Sequence, residues 1–348
     1  MKVLGVEEKT GAMKVRIDRS DDLWYLHQVL REGDTVGALA FRRPESREDQ
    51  VRPESQPRVK VFLKVRVESI EFHPFTDALR VGGAIVLGPD GVSGHHTFSF
   101  DVDSVLEIER PGHFSPADLG VLEEAEKGSL NPAVIIVTID DEGSMLFRVR
   151  DYGLEDMATV RARGGGKRQP NEDRWGPLYG EIIKVLEPMM TRNLHTIIMG
   201  PGFFKDELGK ALRCRFGRSM GPMDIFQASG IGKSAVMEVF GSAVSLSGKL
   251  SQMRHVHEIS TLAEFFRRIG KGAGAAYGER EVIVALDIGA VEVLLISERV
   301  FREGNGNDLA TRCSQRGSDS LVISLAHEQG AMFDKMGGLG ALLRFDIK

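Results

Sequence analysis

The sequence predicts a multidomain fold in which a β domain precedes α/β domains. Three observations carry that expectation. The chain has 348 residues, enough for roughly two or three domains of ordinary size, each with its own core. Between residues 35 and 109 the apolar runs are short and rich in Val, Ile and Phe, side chains that suit a pleated surface. Beyond residue 132, strand-like runs alternate with stretches whose apolar residues recur three or four apart, which is the pattern of an α/β layer.

Composition narrows the function classes. With 42% hydrophobic and 27% charged residues the chain reads as a globular protein, and a net charge of −5 confines any nucleic-acid binding to local basic patches. Cys214 and Cys313 are far apart and show neither a CxxC spacing nor a disulfide framework, which suits a reducing compartment. The opening "MKVLGVEEKTGAMKVRID" is charged throughout, and no apolar run has transmembrane length. A cytoplasmic protein that avoids membranes is expected.

In chain order, "SDDLWYLHQVL" predicts a helix with Ser20 as its cap, Asp21 and Asp22 in its first turn, and Leu23, Leu26 and Leu30 on one face. "TVGALAF", "RVKVFLKVRVESIEF", "ALRVGGAIVLG" and "TFSFDVDSVLEIE" follow as strands. Pro111, Pro116 and Pro132 bracket a connecting helix over "ADLGVLEEAEKGSL". "AVIIVTID" and "SMLFRVRD" then flank "DEG" as a hairpin, with helices over "GEIIKVLEPMM" and "KDELGKALRCRF" on either side of the strand "TIIMG".

The last unit is expected to begin near a capping box of Thr261 and Glu264, whose helix ends in the Gly/Ala run of "GKGAGAAYG". "REVIVALDIGA" reads as a helix, "VEVLLISERVF" and "SLVISLA" as strands, "HEQGAMFDKM" as a helix and "GALLRFDI" as a closing strand, giving a compact α/β sandwich. The resulting division is 1–128, 129–262 and 263–348.

Several stretches invite a chemical reading. "QASGIGKSA" ends like a phosphate-cradling loop, but the first glycine of that motif would fall at Gln227, and no clear apolar strand precedes it. In "GPGFF", Pro201 has no N–H to offer an anion, and no Lys-Ser/Thr pair follows. Gly200 and Gly202 permit a tight turn there, after which Phe203 and Phe204 either anchor a protein partner or pack under the following helix; burial is the more ordinary fate.

Two basic loops point to RNA. "RRPESREDQVRPESQPRVK" sets Arg42, Arg43, Arg47, Arg52, Arg58 and Lys60 against four acids, and its arginines without aromatics suit phosphate contacts better than base stacking; a solvated hairpin loop is the alternative. "VRARGGGKRQP" gathers Arg161, Arg163, Lys167 and Arg168 around three glycines, where backbone can approach backbone. Metal candidates are scattered. His95 and His96 should point to opposite faces of a strand, Asp101 and Asp103 alternate on an expected strand, and Asp140, Asp141 and Glu142 read as turn formers. No catalytic or metal-ligating residue can be assigned from them.

With these segments placed, the chain resembles the Pelota family of messenger-RNA surveillance factors, relatives of the class-1 release factor. The resemblance rests on "DDLWYLHQVLREGDTV", "IIMGPGFFKDEL", "AYGEREVIVALDIGAVEVLLISERVF" and "HEQGAMFDKMGGLGALLRF", in that order. It implies an Sm-like β-barrel over 1–128, a release-factor-like central α/β domain over 129–262 and a ribosomal-protein-like α/β sandwich over 263–348. It also implies a transfer-RNA mimic, monomeric outside its complexes, that enters the A site of stalled ribosomes with a GTP-loaded, elongation-factor-like translational GTPase and promotes dissociation, with a recycling ATPase as a further partner.

On that resemblance Pro201, Gly202 and Phe203 match the motif that touches the GTPase, and the loop from Arg42 to Lys60 matches the decoding-site element that meets messenger and ribosomal RNA. Where the release factor carries Gly-Gly-Gln, this chain has Gly165-Gly166-Lys167, so peptide release is not expected. The alternative implied by the family is a divalent-metal-dependent endoribonuclease in the first domain, the one reading in which a metal cofactor enters; no nucleotide is expected to bind this chain itself.

Overall fold

The structure, a computed structural model, describes residues 1–7, 11–42, 59–89, 93–128, 131, 133–162, 176–242 and 253–347. Two compact units result, one of residues 1–129 with 299–315 and the other of 130–298 with 316–348.

The first unit is built on β1 (Lys2–Glu7), β2 (Ala12–Arg16), α1 (Ser20–Val29), β3 (Thr35–Arg42), β4 (Val59–His73), β5 (Ala78–Leu87), β6 (His95–Phe100), β7 (Val105–Glu109) and α2 (Pro116–Gly128). The strands form one antiparallel sheet in the order β1-β2-β7-β3-β4-β5-β6. Alternation along β4 buries Leu63, Val65 and Val67 and leaves Lys60, Arg66 and Glu68 outside, as a half-buried strand requires. Two bulges bend β4 against β5, and Gly83 sits at one of them, where a Cβ would lie 1.8 Å from the Arg66 carbonyl oxygen.

Leu23, Leu26 and Leu30 are fully buried, as their spacing predicts. Ser20 is not the cap of α1. Arg19 holds that position, the Asp22 carboxylate accepts from the N–H groups of Asp18 (2.8 Å) and Arg19 (2.9 Å), and the Ser20 hydroxyl bonds Asp77 instead. The expected strand "TFSFDVDSVLEIE" is two strands, because residues 101–104 turn on a Ser104 hydroxyl–Asp101 bond of 2.8 Å.

The second unit continues with β8 (Ala133–Ile139), β9 (Gly143–Arg150), β10 (Gly153–Arg161), α3 (Gly176–Leu186), β11 (Leu194–Gly200), α4 (Phe204–Phe216), β12 (Met223–Gln227), α5 (Lys233–Gly241) and α6 (Arg254–Lys271). The sheet order is β10-β9-β8-β11-β12, an antiparallel meander whose β8 pairs in parallel with β11, and β11 in turn with β12. Helices cover both faces. Ile136 and Met199 pack with Val236, Phe240, Val256 and Ile259, while Val137 and Ile198 pack with Ile182, Leu208 and Leu212 on the other face. Burial on two faces is why "AVIIVTI" and "LHTIIMG" are apolar without alternation.

The chain closes with β13 (Ala275–Tyr277), α7 (Glu279–Asp287), β14 (Val291–Ser297), α8 (Glu298–Glu303), α9 (Gly306–Gln315), β15 (Asp319–Ile323), α10 (Glu328–Lys335) and β16 (Leu339–Leu343). Their sheet runs β13-β16-β14-β15, with β14 and β15 parallel. "VEVLLISERVF" is therefore a strand only to Ser297, and "ERVF" is the start of α8.

Thr261 and Glu264 form no capping box. They lie inside α6, where the Thr261 hydroxyl donates to the His257 carbonyl (2.7 Å) and Glu264 accepts from Arg267 and Arg268. The buried residues Val256, Ile259, Leu262 and Phe265 keep one face apolar along α6, so the helix crosses the expected 262/263 division and feeds two cores.

Candidate functional site

Strand β11 is buried along its whole length and delivers the "GPGFF" turn to its end. Gly200 holds φ +153°, and a Cβ there would lie 1.9 Å from the Ile139 carbonyl oxygen, so only glycine lets β11 pass this close to β8. Gly202, at φ +61°, completes the turn into α4. Lys205 is buried with its ammonium on the Gly202 carbonyl and 3.6 Å from the Asp206 carboxylate, while the Phe203 carbonyl accepts from the N–H groups of Asp206 (3.0 Å) and Glu207 (3.1 Å).

The two rings part company. Phe204 packs against the core beneath α3 and α4, whereas Phe203 is 59% exposed, stacked on Phe204 with centroids 4.5 Å apart and planes at 27°. The burial that residue type alone favours is thus corrected for Phe203, which is exposed as a contact residue of the kind the resemblance implies must be: the turn points it outward, and the inner ring supports it. Asp206 and Glu207 are exposed in the first turn of α4, each within ion-pair range of a lysine, Lys205 at 3.6 Å and Lys210 at 2.8 Å, so the surface beside the ring carries paired charges.

The arginine loop between β3 and β4 is legible only at its stem. Arg42 ends β3, while Arg43, Arg47, Arg52 and Arg58 lie outside the described residues. Lys60 is exposed on β4 opposite Phe41, with its ammonium 5.9 Å from the ring centroid. Phe41 itself is 64% exposed. The loop itself, residues 42–60, holds no aromatic, and Phe41 stands just before it, next to the last residue of β3.

Beside this stem runs a groove of about 490 Å³ lined mainly by residues of β3 and β6, among them Phe41, His96 and Phe98, together with Lys60 of β4. It lies where β3 has left β7 after Gly37 and where β6 is the last strand of its sheet, so two strand edges border it. In the second unit Arg161 is exposed at the end of β10, and Arg163, Lys167 and Arg168, with Gly165-Gly166, lie outside the described residues.

A strand, β12, does precede "QASGIGKSA", contrary to expectation; Met223, Ile225 and Phe226 are too few to mark it in the sequence. The loop's groups are engaged within the fold, with Gly232 N–H on the Thr138 hydroxyl (3.0 Å) and the Lys233 ammonium on Asp156 (2.7 Å). The scattered metal candidates do not assemble. His95 faces Glu68 at 3.1 Å, Asp101 holds Ser104, and Asp140 accepts from the N–H groups of Glu142 and Gly143. Asp101 and Asp103 occupy a turn, not a strand.

Comparison with known proteins places these sites in context. A family model described as the Pelota N-terminal domain matches residues 1–126, and one described as eRF1 domain 3 matches residues 255–347. A protein pelota homolog of Pyrococcus horikoshii is 31% identical over the full length of both chains, and one of Methanopyrus kandleri is 34% identical, covering 100% of this chain and 99% of its own. Among solved structures, the Pelota protein of Thermoplasma acidophilum superposes with a TM-score of 0.74 at 24% identity, covering all of both chains. Dom34 of S. cerevisiae, described as a translation termination-like factor involved in RNA quality control pathways and interacting with Hbs1, shares the fold at a TM-score of 0.53 and 19% identity, covering 100% of this chain and 98% of its own. By its end-to-end identity with the archaeal homologs and the match of its first 126 residues, the chain belongs to the Pelota family.

Proposed function

We propose that this chain is a release-factor-like ribosome-rescue factor. It occupies the empty A site of a stalled ribosome, is brought there by a GTP-loaded translational GTPase, and promotes dissociation, with a recycling ATPase acting afterwards. The chain performs no chemistry in this scheme; its work is binding energy spent against ribosomal contacts. It acts in the cytoplasm, and among the described residues no helix is long and apolar enough to cross a membrane.

The observation that carries the proposal is the outward Phe203 on a turn held by Gly200, Gly202 and Lys205. An aromatic anchor that is already in place loses little side-chain entropy on docking, which is the mark of an interface hot spot. With paired charges of both signs beside it, the complementary surface is an apolar pocket with a mixed polar rim, on the GTPase. The RNA-facing side is the β3–β4 loop with Arg42, Arg43, Arg47, Arg52, Arg58 and Lys60, seconded by Arg161, Arg163, Lys167 and Arg168 in the glycine loop. No observation among the described residues of the first unit favours the endoribonuclease: Asp101 accepts from the Ser104 hydroxyl and has no second acid beside it in a metal-binding cluster.

The test is sedimentation of purified protein with vacant-A-site ribosomes and the cognate GTPase carrying a nonhydrolysable GTP analogue. Wild-type protein should co-sediment and, with GTP restored, raise the fraction of free subunits. Reversal of Arg42 and Arg43 to Glu should weaken ribosome binding and leave GTPase binding intact. A chain that binds neither ribosomes nor the GTP-loaded partner would refute the proposal.

A further inference from the structure

The start of α6 carries a cluster that ribosome rescue does not use. His255 and Glu258 stand three residues apart on one helical face, and His327 reaches them as the N-cap of α10. The Glu258 side chain is fully buried, His255 is 1% exposed and His327 is 7% exposed. Glu258 Oε1 accepts from His327 Nε2 (2.8 Å) and from the Ser324 N–H (2.6 Å), and His327 Nδ1 accepts from the Gly330 N–H (3.1 Å).

The remaining atoms are not satisfied. Both ring nitrogens of His255 and Glu258 Oε2 are buried without a hydrogen-bond partner. Three orphaned polar atoms in one pocket are a standing cost, and a ligand that takes one His255 nitrogen together with Glu258 Oε2 relieves most of it. One nitrogen of each histidine and one Glu258 oxygen already lie within 4.8 Å of one another.

We propose that His255, Glu258 and His327 bind a divalent transition-metal ion of the zinc and cobalt class. Two imidazoles and a carboxylate suit such an ion, whereas magnesium and calcium prefer oxygen alone. Tetrahedral ligation with bonds of about 2.0 Å sets ligand atoms about 3.3 Å apart, between the 2.8 Å of the Glu258–His327 pair and the 4.8 Å that bounds the cluster, so rotamer adjustments of about an ångström form the site.

His327 ligates through Nε2 by shifting its proton to Nδ1, which sets Nδ1–H against the Gly330 N–H, so the first turn of α10 must yield to free both donors, a cost that the metal–nitrogen bond offsets. The three side chains leave one position of the tetrahedron to a water molecule, and burial of the whole cluster denies access to a substrate, so its role is structural. It ties α6 to the turn between β15 and α10, where the Ser324 hydroxyl also donates to the Tyr152 carbonyl (2.8 Å).

The experiment uses the full chain, stripped with chelator and titrated with Co²⁺ and then Zn²⁺. We expect one ion per chain, the visible absorption of four-coordinate Co²⁺ displaced by Zn²⁺, and an unfolding midpoint that rises with Zn²⁺. Glu258→Gln and His255→Gln should weaken affinity by at least about 100-fold, judged against the effect of supporting residues at known sites. Glu258→Gln keeps the shape of the side chain, so its metal-free circular dichroism spectrum reports whether the fold survives. Should the wild-type chain take up no Co²⁺, or should both variants bind as tightly as it does, the orphaned atoms are bridged by water and the proposal fails.

Discussion

The "GPGFF" turn and the stem of the β3–β4 loop are both exposed surfaces centred on a phenylalanine, and they are built in opposite ways. Phe203 is fixed by backbone: a glycine with no room for a Cβ, a second glycine at positive φ, a buried lysine closing the turn, and a second ring stacked beneath. Phe41 is fixed by a strand alone, with Lys60 across the ladder and a run of arginines continuing from it. The first can tolerate little change in sequence and suits one shaped pocket. On the proposed function the second would work by summed charge, which tolerates substitution and suits a polyanion.

The largest expected effect would break the first arrangement outright. Gly200→Ala forces a methyl group against the Ile139 carbonyl, and a destabilisation of about 3 kcal/mol, the upper end for overpacking, should appear in denaturant unfolding. Full retention of stability would mean that β8 and β11 can separate and that the turn is not rigid.

Phe203→Ala comes next. Its ring lies mostly outside the fold, so unfolding should barely change, while affinity for the GTPase should fall by about 2 kcal/mol or more in calorimetry. Parallel loss of stability would place the ring in the core instead. At the other surface, Lys60→Ala should cost less and in a different manner: ribosomal-RNA binding weakens and its logarithmic salt slope falls by about one. An unchanged slope with weaker binding would mark Lys60 as a packing partner of Phe41 and not as a phosphate contact.

The smallest effect is a control away from both surfaces. The Glu264 carboxyl is held down to about 2 by its hydrogen bonds from Arg267 and Arg268. A depressed carboxyl adds stability above its unfolded value, near pH 4.5, and loses it as pH falls toward about 2. Glu264→Gln should therefore lower stability by about 0.5 kcal/mol at neutral pH, with the gap to wild type closing between pH 4.5 and 2 in thermal scans.

Much of this molecule can be read from local pattern. The strand runs "RVKVFLKVRVESIEF" and "TIIMG", the turn at "DEG" and the helix over "REVIVALDIGA" follow from period and turn chemistry alone, because each is decided within a few residues. "ERVF" was misleading because Val and Phe favour strands locally, and only the pairing of β14 with β15, which stops at Ser297, frees it to become helix. The capping pattern at Thr261 and Glu264 is likewise a true local signal overridden by a helix that had already begun at Arg254.

The sequence by itself determined the succession of β and α/β elements, the tight turn at Gly200 and Gly202 and the basic content of two loops, since these depend on side-chain period, glycine and charge. Only the tertiary structure decided which phenylalanine of "GPGFF" faces outward, since one ring is claimed by the α3–α4 core and the other has no core to enter. The same holds for the buried meeting of His255 and Glu258 with His327, whose contact with Glu258 spans 69 residues: a pocket assembled from α6 and the N-cap of α10 exists only once long-range packing has brought those segments together.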